Sequence, residues 1–247
     1  MWRGGAPRGV AIDSHRLSYL VVGLIAGFAA VERKGFLQAM ISRPIAVAPL
    51  AGLALGDVPG ALFVGAALEL LWLGAVNLGA ALPVHETLGA VASAAGAVLA
   101  GRVLGTGVTP AVAVLSVLLC APLALVGRRA DVLSERLNEE LAVRAEQALA
   151  GGDPRAALRC NLYGLALPFV LAAAAAPLAA VLVGLAVPAL LVRVPSAAGP
   201  LQGAWVGFVA LAAAAAARAL RARRAGPLFL AAFAVTVALG ALLGRLR

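Results

Sequence analysis

The sequence predicts an all-α polytopic membrane protein with discontinuous or re-entrant helices around a midplane site. Three observations carry that prediction. First, 63% of the 247 residues are hydrophobic and only 13% are charged, with a mean hydropathy of +1.00; soluble globular domains average about 45–50% apolar and about 25% charged residues. Second, 26 of the 31 charged residues fall into five clusters and leave long apolar runs between them. Third, one of those runs holds an isolated carboxylate between two turn-forming breaks. Such a composition excludes a soluble enzyme, a disordered chain and a secreted disulfide scaffold. At about 20 residues per crossing, the apolar part supplies at most roughly seven or eight spans.

The elements follow from the charge clusters in order. The first sixteen residues are polar, and the apolar run 17–31 leads straight into Glu32-Arg33-Lys34. With no small-residue cleavage pattern, this reads as a first membrane segment, short for a crossing, rather than a cleavable signal. Apolar stretches follow at 45–84, 86–106, 108–127, 161–192, 200–217 and 226–244. The stretch 45–84 is too long for one span and must turn. The stretch 161–192 carries Pro168, Pro177 and Pro188 and reads either as one kinked helix or as a helix plus a re-entrant piece.

The segment 128–160 is a polar amphipathic loop within a single membrane domain spanning 1–247. Its six acids balance six arginines, so it is no polybasic lipid-binding tail. Leu133, Leu137, Leu141, Ala145 and Leu149 recur every four positions, Glu140 and Arg144 form an i,i+4 pair, Asp131 is placed to cap a helix start, and Gly151-Gly152-Asp153-Pro154 ends it. Two readings are open: a connector lying against the membrane or the protein, and a docking face for a soluble partner.

Net charge is +9 and the pI about 11.3. Nineteen of the twenty basic residues are Arg, mostly in loops and tails, where the positive-inside rule places them; nucleic-acid binding is not indicated. The basic clusters at 128–159 and 218–224 face one side if two spans separate them, whereas the orientation of the N-terminal segment stays open. Cys120 and Cys160 have no metal-like spacing, and His15 and His85 form no ligand pair. No metal and no cofactor are expected.

Residues 42–93 carry the chemistry. Gly52, Gly56 and Gly60 recur at spacing four, which lets membrane helices approach closely, and Gly56-Asp57-Val58-Pro59-Gly60 breaks the apolar run. Glu69 lies deep in apolar sequence, where a charge costs at least about 2.5–3.5 kcal/mol. It therefore either lines a polar cavity or pairs with Arg43 or Arg102 to lock two helices. Asn77 follows eight residues later, about two helical turns on and on the same face if the helix continues. Pro83, His85, Glu86 and Thr87 form a second break. Interrupted helices around polar groups at membrane depth suit a polar solute. A sugar needs carboxylate and amide partners for its hydroxyls, and Trp72 offers a ring face or simply packs.

The run Ser42-Arg43-Pro44, Gly52, Gly56-Asp57, Gly65, Leu68-Glu69, Leu73-Gly74 and Gly79-Ala80-Ala81 resembles the signature of the mannose/fructose/sorbose-type IIC subunit of the bacterial phosphoenolpyruvate-dependent sugar phosphotransferase system. The likeness is specific over 42–93 and looser over about 17–244. It implies a multi-pass permease of the bacterial cytoplasmic (inner) membrane that translocates a hexose-type sugar. It further implies a IID membrane subunit, soluble IIA and IIB phosphocarriers, and a trimer of heterodimers. The resemblance places Glu69 and Asn77 in the sugar site and leaves Asp57 a substrate or a helix-capping role; His85, Glu86 and Trp72 are further candidates. Where such proteins often carry Asp or Asn before Glu-Thr, this chain has His85, which either alters sugar choice or is an exposed loop residue, the second reading being slightly favoured. Neither His has the setting of a phosphocarrier, and no Walker A, GxSxG or HExxH motif occurs, so the chain has no catalytic residues of its own. A transport-inactive regulatory or scaffold subunit of a partial phosphotransferase system, and an unrelated solute channel, are the competing readings.

Overall fold

In the computed structural model, described over residues 8–35, 37, 39–74, 84–219 and 234, the chain is built from α-helices. These are α1 (Arg8–Lys34), α2 (Pro44–Leu55), α3 (Val58–Trp72), α4 (Glu86–Leu104), α5 (Pro110–Ala150), α6 (Pro154–Arg193) and, after a short 3-10 turn, α7 (Ala198–Ala219). Four segments among the described residues are long and apolar enough to cross a membrane: Glu86–Leu104, Pro110–Ala150, Pro154–Arg193 and Pro195–Ala219. The last apolar stretch, 226–244, lies outside the described residues apart from residue 234.

The architecture is organised around α4. Every residue from Glu86 to Gly101 is buried, and twelve of these sixteen are Ala, Gly, Val or Ser. A helix that is apolar and small on all sides can be surrounded by others at close range. A methyl on Gly96 would meet the Val183 side chain at 2.7 Å, and one on Gly184 would meet Leu99 at 2.8 Å, so α4 and α6 are in near-backbone contact. Nearer the start of α6, the same face meets α1, where a methyl on Gly27 would lie 2.8 Å from the Phe169 ring and Phe28 packs edge-on against Phe169 at 5.2 Å. The aromatic stack Phe63–Trp205–Phe208, with centroids 4.9 and 5.5 Å apart, ties α3 to α7.

The required turn in 45–84 is found at Gly56-Asp57. Gly56 takes φ 77°, a left-handed conformation that glycine adopts without penalty, and its N–H closes α2 on Gly52 and Leu53 carbonyls. Asp57 Oδ1 accepts from Gly60 N at 2.9 Å and starts α3, with Pro59 in the first turn. At 12 and 15 residues, α2 and α3 are about 18 and 22 Å long. Neither matches an apolar core about 30 Å thick, so the pair forms a re-entrant hairpin beside α4.

One alternative is decided and two expectations change. The stretch 161–192 is part of one helix, α6, which contains Pro168, Pro177 and Pro188; in such a helix neighbouring elements supply the packing that an isolated one would lack. The first segment is longer than its apolar run, because α1 extends over 27 residues from Arg8 to Lys34. Asp131 does not cap a helix. From Thr109, whose side chain caps the start, to Gly151, α5 continues for 41 residues, about 61 Å, through Pro122 and through the apolar and polar parts alike. The expected end at 151–154 is observed, with Asp153 Oδ1 accepting from Ala156 N at 2.9 Å to open α6. The polar segment is therefore a helical hairpin arm made of the far half of α5 and the first turns of α6.

Candidate functional site

Three helix ends converge on one point. Pro44 sits at the first position of α2 and holds Arg43 in an extended conformation, φ −66° and ψ 143°, so the Arg43 side chain turns across the helix start. Gly65 allows α3 to approach: a methyl there would collide with Ala48 Cβ and lie 2.9 Å from the Pro44 carbonyl. One turn beyond Gly65 on the same face is Glu69. Its Oε1 accepts from Arg43 Nη2 at 2.6 Å and Nε at 3.0 Å, while Oε2 accepts from the backbone N of Ile45 at 3.3 Å. The third end is α4, whose first residue, Glu86, receives Arg43 Nη1 on Oε1 at 3.4 Å. The Trp72 carbonyl also accepts from Arg43 Nη2, at 3.3 Å.

Two carboxylates thus share one guanidinium. The Arg43 and Glu69 side chains are 16% and 15% exposed and that of Glu86 only 5%. Glu86 Oε2 is buried and makes no hydrogen bond. A buried carboxylate oxygen without a donor costs on the order of 1–3 kcal/mol or more, and this one lies unpaired and closed to solvent beside Glu69. Carboxylates accept from hydroxyl donors, and in a low-dielectric setting each such bond counts more than in water. The Trp72 ring packs towards α4, since a methyl on Gly89 would lie 2.8 Å from its edge. Asn77 lies outside the described residues, as does Pro83.

His85 is not an exposed loop residue. It is 4% exposed and occupies the N-cap of α4, where Nδ1 accepts from Leu88 N at 3.2 Å. The ring nitrogen supplies the cap acceptor that a short Asp or Asn side chain would supply. Next to it, Thr87 Oγ1 donates to the Ser42 carbonyl at 3.0 Å, and Ser42 N donates to Glu32 Oε2 at 2.9 Å. These bonds lock the start of α4 to the loop that carries Arg43.

Asp57 and Arg102 sit at the other end of the hairpin. Asp57 makes the cap described above, and Arg102 donates to the Leu55 carbonyl, so Arg102 is not the partner of Glu69. About twelve helical residues, roughly 18 Å, separate Asp57 from Glu69 along α3.

A second polar cluster lies behind the first and was not legible in the sequence. Arg33 Nη1 pairs with Asp131 Oδ2 at 2.7 Å, with side chains 4% and 3% exposed, and Lys34 Nζ reaches Asp131 Oδ1 at 3.2 Å. The partners are 98 residues apart in the chain, and no local pattern announces such a pair. Among the described residues, no group of three or more His, Cys, Asp or Glu is placed to hold a metal ion.

Comparison with known proteins gives the following. Residues 16–245 match the family described as "PTS system sorbose-specific iic component". The chain is 36% identical over 98 residues to a protein of Escherichia coli (strain K12) described as N-acetylgalactosamine permease IIC component 2; this covers 40% of the chain and 68% of that protein. It is 28% identical over 134 residues to the fructose permease IIC component of Bacillus subtilis (strain 168), covering 54% of the chain and 45% of that protein. Two solved structures share the fold. One, described only as a membrane protein, has a TM-score of 0.67 with 23% identity over 93% of both chains. The other is from the mannose transporter ManYZ in complex with microcin E492, with a TM-score of 0.58 and 23% identity over 94% of this chain and 93% of that one.

Proposed function

The chain belongs to the family of phosphotransferase-system sorbose-specific IIC components, sugar permease subunits of the bacterial inner membrane, and from that premise we propose that it translocates a hexose-type sugar that partner subunits phosphorylate. The observation that carries this reading is the Arg43–Glu69–Glu86 cluster at the meeting of three helix ends, two of them in a hairpin too short to cross. Glu69 and Glu86 are the hydroxyl acceptors, and Asn77 is the amide partner of the same site. Trp72 shapes the wall, His85 fixes the start of α4, and Asp57 holds the hairpin tip.

The partners in this proposal are a IID membrane subunit and soluble IIA and IIB phosphocarriers, assembled as a trimer of heterodimers. The site end of the molecule faces the cytoplasm. Arg33 and Lys34 bond to α5 at Asp131, next to Arg128 and Arg129, and a methyl on Gly74 would lie 2.8 Å from Ala219, beside Arg218. The Arg- and Lys-bearing ends of α1 and α7 and the Arg128–Arg129 stretch in the middle of α5 therefore share one side, which the positive-inside rule makes cytoplasmic. The arm formed by α5 and α6 then projects from that side.

The test is partner-dependent uptake. Cells producing the chain with IIA, IIB and IID proteins are given a panel of labelled hexoses, with IIB omitted in a parallel strain. The proposal expects intracellular sugar phosphate only in the complete strain. Equal accumulation of free sugar without IIB supports an independent transporter instead. No uptake by a correctly assembled complex supports a regulatory subunit.

A further inference from the structure

The second buried cluster touches the segment that leads into α4. Arg33 Nη1 is held by Asp131, and Arg33 Nη2 donates to the Val84 carbonyl at 3.2 Å. Val84 lies two residues before Glu86, and its carbonyl also accepts from Glu86 N at 2.9 Å. Immediately after it, His85 N donates to the Ala124 carbonyl of α5 at 3.0 Å. Asp131 and His85 line one small cavity of about 20 Å³ with Gly127 and Pro168, enough room for a single water molecule. Lys34 adds a second cation on Asp131 and reaches Glu135 at 3.5 Å. So the backbone that aims Glu86 is gripped from α1 by Arg33 and from α5 by Ala124, and Asp131 fixes the gripping guanidinium.

A buried ion pair is weak grounds for stability, because desolvation offsets most of the attraction. Its geometry is better grounds for placement: a guanidinium presents several donors in a fixed fork, and a carboxylate on one prong sets where the other points. We propose that Arg33 and Asp131 are positioning residues of the sugar site, setting the start of α4 and hence the place of Glu86; the proposal rests on the reading of the Arg43–Glu69–Glu86 cluster as that site. Neither side chain touches the sugar. Arg33 acts on the Val84 carbonyl, and Asp131 acts through Arg33.

Two variants separate placement from mere folding. Asp131→Asn keeps the shape and removes the charge that orients Arg33. Arg33→Lys keeps a cation for Asp131 but has one nitrogen where two are needed. Both are studied in the assembled complex with two readouts. The first, independent of transport, is amide hydrogen exchange in the purified complex without sugar. The amides of His85, Leu88 and Gly89 exchange faster in both variants, while those of residues 96–101 in the same helix keep the wild-type rate. The second is the uptake assay, in which KM rises about tenfold, as expected for the loss of one hydrogen bond's worth of placement, while the maximal rate per assembled complex stays within about twofold. Unchanged exchange at 85–89 overturns the proposal. So does faster exchange along all of α4, or a lower yield of complex with an unchanged KM, since either would make the pair a structural brace only. If the wild-type complex takes up no sugar, the permease reading fails, and the exchange measurement still decides the placement.

Discussion

Arg43 and Glu69, 26 residues apart in the chain, form a 2.6 Å ion pair between the start of α2 and the end of α3, and the same guanidinium reaches Glu86 on α4. This arrangement occupies both oxygens of Glu69 with internal donors, Arg43 on one and Ile45 N on the other, and leaves Glu86 Oε2 without one. Under the proposed function, a sugar hydroxyl that bonds to this cluster displaces Arg43 or Ile45 N from one of three engaged oxygens or reaches the buried Glu86 Oε2.

Removing Arg43 strands two carboxylates. Breaking a fully buried pair costs about 3–5 kcal/mol. The Arg43 and Glu69 side chains remain about one-sixth exposed, so Arg43→Gln is expected to destabilise the protein by less, about 2–3 kcal/mol. The double variant Arg43→Gln/Glu69→Gln is expected to recover part of that loss, because the stranded charge goes too. Thermal unfolding of the purified variants in detergent measures both, and strict additivity would contradict a direct pair.

The cap on α4 predicts a tolerant position. His85→Asn keeps an acceptor for Leu88 N and is expected to leave stability within about 0.5 kcal/mol, whereas His85→Ala loses about 1 kcal/mol. If the Asn variant unfolds as early as the Ala variant, the ring nitrogen is not acting as the cap.

Asp57 gives a parallel case at the hairpin tip. Its observed contact is the bond from Gly60 N. Asp57→Asn is expected to retain uptake, and Asp57→Ala to lower stability by about 1 kcal/mol while uptake per assembled complex persists. Complete loss of uptake in well-assembled Asp57→Asn would assign this carboxylate a direct part in transport.

Gly65 brings Glu69 to Arg43. Any side chain there meets Ala48 and the Pro44 carbonyl, so Gly65→Ala forces α3 away from α2. The expected result is a stable membrane protein with sharply reduced sugar affinity, read from the KM of uptake. Wild-type KM would contradict the close approach.

Much of this was legible in the sequence, for physical reasons tied to particular residues. Gly56-Asp57 breaks an apolar run with a left-handed glycine and a capping carboxylate, a local signal that needs no tertiary knowledge. Glu69 stood out because a charge surrounded by Leu, Val and Ala is expensive, and the sequence offered Arg43 as one of two partners. Nothing local chose between Arg43 and Arg102; the choice follows from which end of α3 faces the start of α2. Asp131 is no cap, although an acid ahead of an amphipathic stretch resembles one. Its actual partners, Arg33 and Lys34, come from a helix nearly a hundred residues away. The burial of His85 was hidden for the same reason, since α5 and α6 cover it from far along the chain.

A sugar site at Glu69 is tested by the sugar phosphate formed inside cells carrying Glu69→Gln, compared with wild type at equal amounts of assembled complex. The variant keeps the shape of the side chain and removes the charge that binds Arg43 and, in this account, the sugar. Glu69→Gln is expected to insert and assemble with its partners normally, with sugar phosphate reduced to background. Wild-type accumulation in Glu69→Gln would contradict it and would place the sugar site elsewhere in the fold.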